Sequence, residues 1–142
     1  MINANDLRRG NLVDIINRCH AVHVPMGTQF KILEIKAFSV TGIYPHETVV
    51  ANEWQEKKIT DLEPIPLTPE ILEKCGFKKH EFGDGYLKNK IYYILPMRIG
   101  FDFCILYSIT EHKKINLKYI EYVHQLQNLY FSLTGEELNA PL

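Results

Sequence analysis

The run RIGFDFCILYSI, residues 98–109, constrains this chain more than any other stretch. Its odd positions carry Ile99, Phe101, Phe103, Ile105, Tyr107 and Ile109, and its even positions carry Gly100, Asp102, Cys104, Leu106 and Ser108. Side chains alternate across a strand, so the pattern predicts one buried face and one partly wet face. A lone strand has no stability in water and needs paired neighbours. GYLKNKIYYIL, residues 85–95, is the nearest candidate, set apart by Pro96-Met97. As one strand it would carry Leu87, Ile91, Tyr93 and Leu95 on one side. Tyr86, Lys88, Lys90, Tyr92 and Ile94 would lie on the other.

Upstream, PIPLTPEILEKCGF marks a short helix fixed at both ends. Pro64 and Pro66 hold the approach extended. Thr68 is placed to cap the helix, and Pro69 falls at its first position, where a missing N–H costs nothing. Leu67 and Leu72 have hydrophobic-staple spacing. Gly76 can turn left-handed, letting Phe77 fold back onto Leu72. The N-terminal part reads as short strands: NLVDII, QFKILEIKAF after the turn signal PMGT, then ETVVANEW and QEKKITDL. It is too small for a two-sheet sandwich, so a curved sheet or small SH3-like barrel is expected.

The C-terminal run is predicted to form a helix starting near Asn116, with Gly135 ending it. Its polar stripe is Glu121, Gln125, Asn128 and Ser132, opposite Ile120, Val123, Leu126, Tyr130 and Leu133. The amides are expected to face out while the apolar side covers the odd face of residues 98–109. The expected fold is α+β. Residues 1–63 form a small strand-rich part. Residues 64–142 form a short helix, an antiparallel sheet of about three strands and a C-terminal amphipathic helix. The short link permits one shared core.

With 142 residues, 46% of them hydrophobic, the chain can bury a core without staples. A net charge of −1 selects neither nucleic acid nor an anionic membrane globally. Three scattered cysteines, Cys19, Cys75 and Cys104, argue against a disulfide framework and for a reducing compartment. The N-terminus lacks the apolar core of a signal peptide, and no run is long enough to span a bilayer. A cytoplasmic protein is expected.

LRRGNLV, EPIPLTPEILEKCGF and YVHQLQNLYFSLTGEEL, in that order, resemble a family of short uncharacterised bacterial proteins often encoded near prophage or mobile-element genes. NRCHAVHVPMGTQ departs from that pattern and looks like an insertion. The resemblance implies a small intracellular protein with a strand-rich N-terminal part. It implies no activity and supplies no catalytic residues.

Chemistry-bearing clusters are few. Cys19, His20 and His23 are metal-ligand types, but in a strand or loop their spacing does not converge, so no metal site is assigned. His124 has Glu121 one turn away as an orienting carboxylate; a histidine on the helix–sheet boundary explains it more simply. Gln125, Gln127 and Asn128 could read adenine edges, but only Lys118 is near to meet phosphates. Residues 74–98 carry the one charge asymmetry: Lys74, Lys78, Lys79, Lys88, Lys90 and Arg98 against Glu81 and Asp84. Phe77, Phe82, Tyr86, Tyr92 and Tyr93 interleave with them. Cations beside stacking rings suit single-stranded nucleic acid; lysines that guard a sheet edge are the plainer account.

These observations favour a binding or adaptor protein of a mobile element, acting by protein partnering or self-association, with Glu121, Gln125 and Asn128 as a partner face. Single-stranded nucleic-acid binding through Lys78, Lys79, Tyr86, Lys88, Lys90, Tyr92 and Arg98 is the alternative, and a small hydrolase built on His124 the third. Neither a catalytic group nor a cofactor is assigned.

Overall fold

The computed structural model describes residues 2–15, 28–35, 39–43, 55–81, 83–108, 111 and 113–140. The fold is α+β and rich in strands, with two five-stranded antiparallel sheets. Two compact units divide the chain: Met1–Ile65 with Val123–Glu137, and Pro66–Tyr122 with Leu138–Leu142.

In the first unit the strands are β1 (Leu12–Ile15), β2 (Thr28–Ile35), β3 (Ser39–Ile43), β4 (Gln55–Lys58) and β5 (Leu62–Glu63). Their order β4-β3-β2-β1-β5, with a 3-10 turn at Ile59–Asp61 between β4 and β5, is that of an SH3-like half-barrel. Ile2, Leu7, Val13, Phe30, Ile32, Val40 and Leu62 form its core. Each such side chain contributes about 1.5–3 kcal/mol by leaving water. β3 was not anticipated, because Gly42 reads as a breaker. Here the glycine serves close packing: a Cβ would lie 2.1 Å from the Lys31 carbonyl oxygen and 2.6 Å from the Phe30 ring. The expected strand at residues 47–54 lies outside the described residues.

The long helix of this unit spans Val123–Thr134 and ends at Gly135, which has φ +72°. It starts seven residues later than predicted, because Asn116 lies within a strand and caps nothing. Its amides do not form a solvated face. Gln127 is buried; its Oε1 accepts from the Leu12 backbone N–H at 3.0 Å and its Nε2 donates to the Gly10 carbonyl at 3.3 Å. Asn128 Oδ1 accepts from Asn11 Nδ2 at 2.8 Å and from Arg8 Nε at 3.2 Å, while its Nδ2 donates to the Asp6 carbonyl at 2.6 Å. The helix therefore fastens to the chain around β1 and groups with the first sheet. Arg8 completes the lock. Its guanidinium lies 4.2 Å from the Phe131 ring centroid and bonds both Glu137 oxygens, at 2.5 and 3.0 Å.

In the second unit a short helix, α1 (Pro69–Lys74), precedes β6 (Lys78–Lys79), β7 (Tyr86–Lys88), β8 (Tyr92–Pro96), β9 (Phe101–Ser108) and β10 (Lys113–Ile120); the Val123–Thr134 helix is α2. Thr68 Oγ1 accepts from the Ile71 N–H at 3.3 Å. At the other end Gly76 has φ +87°, its N–H reaches the Glu73 carbonyl, and the Phe77 N–H reaches Leu72. These paired bonds make a Schellman cap, as the sequence of α1 anticipates.

The sheet is a meander, β10-β9-β8-β7-β6. Tyr86, Ile94 and Phe103 pair across one face, joined by Phe101 and Ile120, and all are buried. On the other, Tyr93, Cys104 and Leu106 form a second buried cluster with Leu87 and Leu95 against it. Both faces thus carry buried apolar residues, where one was expected to be partly wet. GYLKNKIYYIL is a hairpin and not one strand.

Asn128→Ala should cost about 2 kcal/mol in urea unfolding, since it strips two part-buried hydrogen bonds, to Asn11 and Arg8, and an exposed one to Asp6; a loss under about 0.5 kcal/mol would contradict the lock. The hydrogen bond from Arg8 holds the Glu137 carboxyl below the usual carboxylate range. Its folded pKa lies below the unfolded one, so the pair's stabilisation is present at neutral pH and fades as pH falls through the depressed value. The stability gap between wild type and Glu137→Gln should therefore close in acid.

Candidate functional site

Four of the six cations of residues 74–98, Lys78, Lys79, Lys88 and Lys90, gather at one end of the second sheet. β6 is that sheet's edge, and Lys78 and Lys79 are both exposed on it. They pair with Leu87 and Tyr86 of β7. Between β7 and β8, Asn89 and Lys90 have φ of 54° and 60°. Two consecutive left-handed residues make the tight hairpin turn whose twist matches antiparallel strands. Asparagine tolerates that conformation; lysine there is uncommon. The turn places Lys90 next to Lys88 and close to β6.

An open cleft of about 620 Å³ results, lined by Lys78, Lys79, Lys88 and Lys90 together with Gly76, His80, Glu81, Leu87 and Asn89. Among the described lining residues, four lysines thus stand with one carboxylate, that of Glu81. Lys88 is the anchored one. Its Nζ donates to the Cys75 carbonyl at 2.9 Å and stands 5.8 Å from the Phe77 ring centroid. A cation at a helix C-terminus offsets its exposed carbonyls and the negative end of its dipole. Gly76 leaves the ammonium room, since a Cβ there would sit 2.6 Å from Lys88 Nζ. His80 closes the far side, with its N–H bonded to the Gly85 carbonyl at 2.8 Å and its ring edge-on to Tyr93, centroids 6.1 Å apart.

Four of the seven residues proposed for nucleic acid therefore meet, and three do not. Tyr86 is only 7% exposed, so its ring cannot receive a base. Tyr92 packs on Phe103, centroids 6.0 Å apart. Arg98 lies in the turn at the opposite end of β8 and does not line the cleft. Phe82 lies outside the described residues, as do Cys19, His20 and His23. His80, Asn89 and Gly76 were missed as cleft residues, although Gly76 as a helix terminator and Asn89 as a turn former were the available signals.

The partner face proposed on the last helix is not assembled either. Glu121 precedes α2, Gln125 is half-buried, and Asn128 is committed to Arg8, Asn11 and Asp6. His124 is only 2% exposed and stands on the buried side of α2 with Val123 and Leu126, so it is not presented to a substrate from solution. Burial pushes the Cys75 thiol up to about 11, against the pull of Lys88, and also raises that of Cys104. Both thiols are packing groups at neutral pH. Among the described residues no cluster of three or more His, Cys, Asp and Glu could hold a metal ion, and no helix is long and apolar enough to cross a membrane.

The opposite edge of the same sheet has another character. β10 was read as the start of a helix, although KKINLKYI alternates Ile115, Leu117 and Tyr119 with Lys114, Asn116 and Lys118. Seven of its eight residues are exposed. Its ladder with β9 is irregular between Lys113 and Lys114 and between Asn116 and Lys118, placing a bulge at Leu117. Tyr119 donates its hydroxyl to the carbonyl of Ile99, a residue 69% exposed in the β8–β9 turn. Comparison with known proteins finds no matching family, no matching curated protein and no matching solved structure.

Gly76→Ala should destabilise the protein by about 1–2 kcal/mol, the cost of a Cβ in left-handed backbone, and should displace Lys88 from the cleft. Urea unfolding measures the first effect. A neutral substitution would contradict the placement of Lys88 against the end of α1.

Proposed function

We propose that this chain is a binding protein that self-associates through β10. The observation that carries this is an eight-residue edge strand with Ile115, Leu117 and Tyr119 exposed, and with Ile99 and Tyr107 each more than 60% exposed on neighbouring segments. Edge strands expose unpaired backbone groups, and grouped large apolar side chains at a surface mark interaction sites. Lys113, Lys114, Lys118 and the bulge at Leu117 blunt the edge against indiscriminate pairing. A fitting partner must answer such charges, and a second copy answers that of Lys113.

With a two-fold axis at Leu117 and the strands antiparallel, each Lys113 meets Glu121 of the other copy. The two leucines meet on the axis. Such self-complementarity is what an isologous interface requires. The alternative axis at Asn116 would set Lys114 against Lys118 and is disfavoured by like charge. In the monomer Lys113 pairs with Glu111 at 2.5 Å, but both are exposed, and such pairs contribute little. The bulge interrupts the outer ladder, so side chains carry most of the contact.

Sedimentation velocity should show reversible, concentration-dependent dimers of the 16.6 kDa chain. Leu117→Asp should leave it monomeric while changing unfolding free energy by less than about 0.5 kcal/mol, because the site is exposed. Lys113→Glu should weaken the dimer, and adding Glu121→Lys should restore it. A wild type that stays monomeric, or a dimer indifferent to Leu117→Asp, overturns the proposal.

A further inference from the structure

We propose that the cleft at the β6–β7 edge binds the phosphodiester backbone of single-stranded nucleic acid, without reading its bases. The site lies at the end of the sheet away from β10 and is independent of self-association. Three features carry the inference. First, Lys78, Lys79, Lys88 and Lys90 come from three consecutive elements, β6, β7 and the β7–β8 turn, and line one concavity in which Glu81 is the single carboxylate among the described residues. Lysines that only keep an edge soluble do not need to converge on a cleft. Second, the arrangement is held in place. Lys88 is tethered to the Cys75 carbonyl, and the left-handed turn at Asn89–Lys90 fixes where Lys90 leaves the backbone. An anchored cation loses less freedom on meeting an anion than a free surface lysine does.

Third, the rings that would stack on bases are turned inward. Tyr86 is in the core and Tyr92 lies on Phe103. Among the described residues that line it, the cleft therefore offers four cations and one ring, the His80 imidazole, which stands edge-on to Tyr93. Ammonium groups track phosphates and carry no sequence information, whereas base discrimination needs stacking or edge contacts.

The test is fluorescence anisotropy on the full chain, with labelled oligothymidylate, a mixed-sequence single strand, a duplex of equal length, and a nucleoside triphosphate as competitor, across a salt series. The two single strands should bind alike, and log K should fall linearly with log salt with a slope of about −3, about 0.7 for each lysine–phosphate contact. Lys78→Gln with Lys79→Gln should remove about 1.4 of that slope. Both residues are exposed, so the variant should fold. Lys31→Gln with Lys58→Gln, which removes equal charge from the other sheet, should leave the slope unchanged. Absence of binding at low salt, an unaltered slope in the Lys78/Lys79 variant, an equal loss in the control, strong sequence preference, tighter binding of the duplex, or full displacement by equimolar triphosphate would each overturn the assignment.

Discussion

Much of the second unit depends on the left-handed turn at Asn89–Lys90. Two adjacent residues with φ near +55° to +60° reverse the chain within a single step and set the register in which Lys88 opposes Tyr92 and Tyr86 opposes Ile94. Since opposed residues share a face, this register sends Tyr86 into the core beside Ile94. It also leaves Lys90 at the rim. A straight strand through the same residues would display lysines and tyrosines together on one surface. The hairpin keeps Lys88 on the face of Tyr86 and Tyr92 but at its end, where its ammonium reaches the Cys75 carbonyl, while Tyr86 is buried in the core and Tyr92 lies on Phe103.

The sheet resolves its two edges by different means. β6 is only two residues long and both are lysines, so that edge presents charge and little backbone. β10 is eight residues long, bulged, and mixes lysines with exposed apolar side chains. A short charged edge and a long bulged one both resist unplanned strand addition. What each leaves exposed differs: cations gathered in a cavity at one end, apolar side chains along a ridge at the other. The two proposals rest on these separate residues, and neither requires the other.

Legibility in the sequence followed the range of the interactions. α1 was readable to the residue because its cap, staple and Schellman turn are all set by neighbours within ten positions. β1 and β2 were readable from their β-branched and aromatic runs, whereas QEKKITDL, read as one strand, divides into β4, the turn at Ile59–Asp61 and the start of β5. β3 was not readable, because Gly42 is required by the Phe30 ring across the sheet, and that contact is non-local. The hairpin was missed because Asn-Lys is a weaker turn signal than Asn-Gly. β10 was misread because Asn116 resembles a cap, although the alternation of Ile115, Leu117 and Tyr119 argued for a strand. Gln127 and Asn128 looked solvated by composition, yet they bond to Leu12, Gly10, Asn11, Arg8 and Asp6, more than a hundred residues away. For the site, local charge located the four lysines, but the withdrawal of Tyr86 and Tyr92 depends on pairing that composition does not encode.

The most direct measurement is a two-dimensional 1H–15N NMR titration of the Leu117→Asp monomer with a short single-stranded oligonucleotide at low salt. The account predicts shift changes concentrated in the backbone amides of Gly76, Lys78, Lys79, His80 and residues 87–90, with β10 and the first unit undisturbed. Changes spread along β10, or confined to the first unit, would contradict it.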